Sequence, residues 1–131
     1  YKGAKVGDGS IQIVDGDMQT IMAGLACGEP NTISWDILKN HVDTFVSAPD
    51  WVAAKGMRML SAPIKGDPQV VSGESGAAPF GVLACIMTMD EYKELREHLR
   101  LDENSKVLLF STEGDTDPER YKNIVWEGKE R

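Results

Sequence analysis

Short apolar runs alternate along this chain with longer segments whose apolar residues recur at the three- and four-residue spacing of a helix. The runs predict strands at residues 11–14, 42–47, 68–72 and 106–111. The periodic segments predict helices that begin near residues 34, 49, 78, 88 and 117. Because strands and helices alternate, the pattern predicts an α/β fold with a mainly parallel sheet and helices on both faces.

Residues typical of helix starts support two of these helices. Pro49 suits the first turn of a helix, and Asp50 meets the positive end of its dipole. Asp117 and Pro118 form a similar start for the last helix. Gly56 falls in the middle of the first helix, where glycine costs about 1 kcal/mol relative to alanine. We therefore expect a neighbouring group to pack closely against Gly56.

A first polar loop, residues 72–77, follows a predicted strand, and ligands bind beyond the carboxyl ends of strands in parallel sheets. Glu74 lies there between Gly73 and Gly76, which allow close approach by another group. The loop precedes a predicted helix, whose free backbone donors favour anions. The plainer alternative is a turn in which Glu74 or Ser75 caps that helix.

A second polar loop, residues 111–117, follows the most apolar of the predicted strands. Rigid backbone at the end of that strand would aim the Ser111 hydroxyl into the crevice beyond the sheet. A structural role for Ser111 stays open, and Asp117 serves most simply as a helix cap. These two loops are the predicted places for chemistry.

The composition narrows the possible partners. The chain has 131 residues and a formal charge of −7, which disfavours binding to nucleic acid or to an anionic membrane. Cys27 and Cys85 are far apart and lack a CxxC spacing, so neither a disulfide framework nor a metal site is predicted. Low cysteine use favours a cytoplasmic location. The chain opens at Tyr1 with polar, glycine-rich residues, which predict a loop and a piece of a longer protein.

Five segments taken together resemble one enzyme family. They are TIMAGLACGEPN at residues 20–31, AAKGMR at 53–58, VSGESGA at 71–77, STEGDTDPE at 111–119 and VWEGK at 125–129. In this order they are similar to the C-terminal part of the diaminopropionate ammonia-lyases, which are pyridoxal-phosphate enzymes with a tryptophan synthase β-like fold. The resemblance implies that residues 1–131 form a single C-terminal fragment of the large, cofactor-binding domain.

The resemblance also implies roles for individual residues. The segment LFSTEGDTD looks like a pattern in which a serine hydrogen-bonds the pyridine nitrogen of the cofactor, and that serine falls on Ser111. Thr112 departs from the pattern and is the second candidate for this role. Glu74 and Gly73 are expected near the same edge of the ring. Thr20 and Cys27 are expected near the active-site entrance.

The implied reaction is the α,β-elimination of 2,3-diaminopropionate to pyruvate and ammonia, in a homodimeric enzyme. In this family the lysine that forms the Schiff base with pyridoxal phosphate lies in the N-terminal portion, which is absent here. The fragment is therefore expected to contain no catalytic residue and to be inactive alone. Two alternatives stay open: a serine/threonine dehydratase-like lyase on the same fold, and a free-standing, non-catalytic α/β binding domain.

Overall fold

The computed structural model describes residues 10–131, so the loop predicted at the start of the chain lies outside this range. The described residues divide into two compact units. One unit comprises residues 10–20 with Gly24–Ser47, and the other comprises Ile21–Ala23 with Ala48–Arg131. None of the helices in residues 10–131 is both long and apolar enough to cross a membrane.

The first unit contains one α-helix, α1, at Thr32–His41. Asn31 caps this helix, because its side chain accepts a hydrogen bond from the Ser34 N–H at 2.9 Å. A single backbone hydrogen bond of 2.9 Å joins the Val14 N–H to the Gly28 carbonyl. No residue of α1 is buried, so the helix is held mainly by its own hydrogen bonds and its cap.

The second unit is built from four α-helices. They are α2 at Asp50–Ser61, α3 at Glu74–Thr88, α4 at Lys93–His98 and α5 at Pro118–Val125. A short 3₁₀ turn of this unit lies at Asp90–Tyr92, and another, at Ala23–Leu25, contains residues of both units. The starts of two helices follow the prediction, since Asp50 lies in the first turn of α2 and the Asp117 side chain accepts the Arg120 N–H at 3.0 Å.

Helices α2 and α3 make the principal packing contact of this unit, and their backbones meet without intervening side chains. A Cβ atom added to Gly56 would lie 2.9 Å from the Gly81 nitrogen, and one added to Gly81 would lie 3.2 Å from Val52 Cγ1. Both distances are too short for an ordinary carbon contact. The predicted close packing against Gly56 is confirmed, and Gly81 is its counterpart on α3.

The core of this unit lies around the crossing of these helices. Alanines of α2 and α3 contribute small side chains, and Met57 of α2, Ile124 of α5 and Ile21 contribute larger ones. Burying a side chain of the size of Met57 or Ile124 contributes about 1.5–3 kcal/mol to folding. The buried apolar cluster consists of Ile21, Ala53, Ala54, Met57, Ala77, Ala78 and Ile124.

The predicted α/β fold with a mainly parallel sheet is wrong, because residues 10–131 contain helices and no strand. The apolar runs expected to be buried strands are exposed: Leu108 keeps 78% of its surface and Phe110 keeps 70%. A strand exists only when a neighbouring segment pairs with its backbone groups. The runs at 68–72 and 106–111 form no such ladder, although the Val70 N–H donates to the Leu60 carbonyl at 3.0 Å.

Arg58, at the end of α2, holds the chain that follows α5. Its guanidinium donates hydrogen bonds to the carbonyls of Ile124, Lys129 and Glu130 at 3.1–3.3 Å. Partial burial, followed by the nearby charge of Arg131, lowers the pKa of this guanidinium. The five donors of a guanidinium suit it to several carbonyls at once.

Replacing Arg58 by lysine is expected to lower the free energy of unfolding by about 1–2 kcal/mol, because one ammonium group cannot reach three separate carbonyls. Urea denaturation of the purified protein measures this change. The matched control is Arg100→Lys at an exposed position, which should leave the midpoint unchanged. An unchanged midpoint for Arg58→Lys would contradict the role given to these three hydrogen bonds.

Candidate functional site

The two polar loops singled out in the sequence meet at the start of α3. The Gly73 N–H donates to the Glu113 carbonyl at 3.1 Å. The Ser75 N–H donates to the carboxylate oxygen Oε1 of the same glutamate at 2.8 Å. Gly73 is the N-cap of α3 and has no side chain with which to cap it. Glu113 therefore caps a helix that lies 38 residues before it in the chain.

This arrangement differs from the plain turn considered in the sequence analysis. Helix α3 begins at Glu74, four residues before the predicted start, so Glu74 and Ser75 lie within its first turn. Neither side chain caps the helix, because the acceptor for the Ser75 amide comes from the second loop. One of the free donors expected at this helix end, the Ser75 N–H, is thus bound by a side chain of the same protein.

A pair of serines forms the second connection between the loops. The hydroxyl groups of Ser72 and Ser111 are 2.8 Å apart. Ser72 is buried, with 1% of its surface exposed, whereas Ser111 is exposed. The Ser111 hydroxyl also lies 3.4 Å from the Glu113 carbonyl, at the long end of a hydrogen bond. The buried hydroxyl of Ser72 therefore supports the exposed hydroxyl of Ser111.

Two glycines make this close approach possible. A Cβ atom on Gly73 would lie 2.5 Å from the Gly114 carbonyl oxygen and 2.9 Å from Glu113 Cγ. A Cβ atom on Gly76 would lie 2.7 Å from Ser72 Oγ and 3.1 Å from Ser111 Oγ. Both glycines are needed because the second loop packs directly against the start of α3.

Glu74 turns toward a different neighbour. Its Oε1 atom lies 3.8 Å from Nε of Arg120 on α5, close enough for charge attraction but too far for a hydrogen bond. This oxygen and the hydroxyl of Ser75 are buried and have no hydrogen-bond partner among the described residues. No hydrogen bond joins Glu74 to Ser111 within residues 10–131. The start of α3 therefore holds two polar atoms whose hydrogen-bonding capacity is unused.

The remaining predicted site residues lie elsewhere. Thr112 is exposed, and its hydroxyl makes no hydrogen bond to the part of the chain that the structure describes. Thr20 and Cys27 line the same cavity of about 300 Å³ in the first unit, together with Met18 and Leu25. Cys27 is an exposed free thiol.

Cys85 is a buried free thiol on α3, in agreement with an inert core position. Across the described residues, no group of three histidine, cysteine or acidic side chains is arranged to hold a metal ion.

Sequence reasoning missed the importance of Ser72 and Glu113. Ser72 appeared only as part of a polar turn, although its position directly after an apolar run is consistent with its burial. Glu113 was included only as one residue of the second polar loop, residues 111–117. Nothing local marks it as a helix cap, since it is far from α3 in the chain.

Comparison with known proteins finds no matching family model. Diaminopropionate ammonia-lyase from Salmonella typhimurium is 52% identical over 130 residues, which is 98% of this chain and 32% of that protein. The enzyme of the same name from Escherichia coli K12 is 53% identical over 121 residues, covering 92% of this chain and 30% of that protein. This chain thus spans about a third of the length of these relatives.

Solved structures give the same result. The structure of the Escherichia coli diaminopropionate ammonia-lyase in complex with an aminoacrylate-PLP azomethine reaction intermediate matches with a TM-score of 0.81 and 52% identity. That match covers 85% of this chain and 29% of the solved chain. The structure of the Escherichia coli enzyme in complex with D-serine matches with a TM-score of 0.78 and 50% identity.

Replacing Gly76 by alanine is expected to destabilise the protein by about 1–3 kcal/mol, because the added methyl group would push Ser72 and Ser111 apart. The gain in helix propensity, about 1 kcal/mol, offsets only part of this loss. Urea denaturation measures the difference. Gly114→Ala is the control in the same pair of loops, since a Cβ at Gly114 meets nothing within 4 Å. Equal midpoints for the two variants would contradict the close packing of the loops.

Proposed function

We propose that this chain forms part of the cofactor-binding site of a diaminopropionate ammonia-lyase. Nearly the whole chain is homologous to about a third of that enzyme. The complete enzyme eliminates ammonia from 2,3-diaminopropionate and yields pyruvate. Bound pyridoxal phosphate supplies the electron withdrawal that acidifies the α-hydrogen of the amino acid. The observation that carries the proposal for this chain is the supported, exposed hydroxyl of Ser111.

Ser111 fits a contact to the pyridine nitrogen of the cofactor. A serine hydroxyl has one hydrogen to donate and two lone pairs with which to accept. When Ser72 donates to Ser111 across their 2.8 Å contact, the hydrogen of Ser111 makes only the long, 3.4 Å contact with the Glu113 carbonyl, which a better acceptor on a ligand can replace. A neutral hydroxyl does not need a protonated ring nitrogen, so less charge collects in the ring. Such a ring suits prompt loss of the β-amino group over longer-lived carbanion chemistry.

Ser111 is a stronger candidate for this contact than Thr112. Both residues are exposed, but only the hydroxyl of Ser111 has hydrogen-bond partners among the described residues. A group held in one direction contributes more to binding than one that must first be ordered. The proposed cofactor contact is therefore Ser111, with Thr112 as a neighbour that does not replace it.

Glu74 and Gly73 are further residues of the proposed cofactor-binding site. Leaving a buried polar atom unpaired costs about 1–3 kcal/mol. The unpaired Glu74 Oε1 and Ser75 Oγ, at the same helix end as Gly73, support a polar ligand at this place. The guanidinium of Arg120 lies 3.8 Å from Glu74 Oε1, and the two opposite charges attract each other.

Thr20 and Cys27 remain the proposed residues of the substrate entrance. Their support is the cavity that both line. As the family resemblance implies, we assign the lysine that holds the cofactor, and the catalytic bases, to the part of the enzyme that this chain does not match.

Residues 1–131 act as a single fragment of the cofactor-binding domain of the complete enzyme, and the fragment alone is inactive. The complete enzyme works as a homodimer in the cytoplasm, as the family resemblance implies. A serine/threonine dehydratase is the weaker assignment, because the relatives identified at 52–53% identity are diaminopropionate ammonia-lyases.

Replacing Ser111 by alanine in the complete enzyme is expected to lower kcat for 2,3-diaminopropionate by at least about tenfold. It is also expected to change the absorption spectrum of bound pyridoxal phosphate, because the ring nitrogen loses its partner. Steady-state assays and absorption scans measure both effects, with serine as a second substrate to test the dehydratase alternative.

The matched controls are Ser34→Ala, at an exposed position of α1, and Thr112→Ala. Both should keep the spectrum and the turnover of the unmodified enzyme. Normal spectrum and turnover in the Ser111→Ala, Thr112→Ala double variant would refute the proposed cofactor contact. A loss only in Thr112→Ala would move the contact to Thr112.

A further inference from the structure

We propose that Glu113 is a positioning residue for cofactor binding, which holds the hydroxyl of Ser111 in place through the start of α3. The inference rests on the proposed function and adds to it a residue that has no assigned role. Glu113 uses both its side chain and its main chain for this purpose. Its carboxylate accepts from the Ser75 N–H, and its carbonyl accepts from the Gly73 N–H.

The two hydrogen bonds together fix the geometry of the second loop. One bond alone would let the chain around Glu113 rotate about the contact. Two acceptors of one residue, bound to the amides of the N-cap Gly73 and of Ser75 in the first turn of α3, remove that freedom. Ser111 lies two residues before Glu113, so the direction of its side chain depends on this anchor.

Charge strengthens the anchor. The first turn of a helix carries partial positive charge on its unpaired N–H groups, and a carboxylate there is stabilised. Hydrogen bonds with an ionised acceptor are also shorter and stronger than neutral ones, which agrees with the 2.8 Å distance at Ser75. Glu113 is half-buried, which reduces the competition from solvent.

The same anchor defines what this helix end does not bind. The carboxylate of Glu113 occupies the place that a phosphate group would take at the start of α3. A second anion at that place would be repelled. The helix start therefore presents a fixed hydroxyl to the cofactor ring, and it does not serve as the phosphate site.

The test uses Glu113→Ala and Glu113→Gln in the complete enzyme, with Glu103→Ala as the control at an exposed carboxylate. The first measurement is the Kd of the apoenzyme for pyridoxal phosphate, from absorption titration at a temperature well below the melting point. Glu113→Ala is expected to raise this Kd by about tenfold, equivalent to about 1.4 kcal/mol. Glu103→Ala should leave the Kd unchanged.

The glutamine variant separates positioning from general loss of structure. Its amide oxygen still accepts from the Ser75 N–H, but without the charge. It should therefore raise the Kd by only about threefold. It should also restore most of the absorption spectrum of bound cofactor that Glu113→Ala loses. If Glu113→Ala fails to fold, the Kd and spectrum of Glu113→Gln against those of Glu103→Ala decide the question.

A Kd for Glu113→Ala within about twofold of the unmodified enzyme would overturn the inference, even if the melting temperature fell. Ser111→Ala, measured in parallel, distinguishes this failure from failure of the proposed function. Loss of cofactor binding or spectrum in Ser111→Ala, with none in Glu113→Ala, leaves the function standing and rejects only the role of Glu113. Unchanged cofactor properties in both variants reject both proposals.

Discussion

The first turn of an α-helix leaves backbone N–H groups without partners, and a buried helix start needs acceptors from elsewhere in the chain. In this chain the start of α3 is buried, its N-cap is a glycine, and the acceptors come from Glu113. That requirement brings a loop at residues 111–117 onto a loop 38 residues earlier. The serine pair, the two glycines and the exposed Ser111 hydroxyl all depend on this contact.

The contact also connects the site to the core. Helix α3 packs against α2 through Gly56 and Gly81, so its backbone is held firmly just beyond the site. Ser72, which precedes the helix, is buried as deeply as the core residues. Its hydroxyl forms a hydrogen bond with that of Ser111. An exposed hydroxyl that is held by a buried partner has a defined direction without losing access to a ligand.

The local features of the fold were predictable from sequence, and the architecture was not. The starts of α2 and α5 followed from Pro49 with Asp50 and from Asp117 with Pro118, because caps act over three or four residues. The sheet was predicted wrongly, because apolar runs such as residues 106–111 become strands only beside a pairing partner, which residues 10–131 do not provide. The two polar loops were identified as the places for chemistry, and the structure brings them together. Their connection through Glu113 could not be predicted, since a long-range cap leaves no local pattern.

The central claim is that the amides of Gly73 and Ser75 are bound by Glu113, and native-state amide hydrogen exchange tests it most directly. In the complete apoenzyme, both amides should exchange far more slowly than the backbone amides of exposed loop residues such as Thr112. Mass spectrometry with electron-transfer fragmentation of peptides that cover residues 70–78 and 110–116 resolves the rates of these individual amides. Exchange of the Gly73 and Ser75 amides as fast as that of Thr112 would contradict the account.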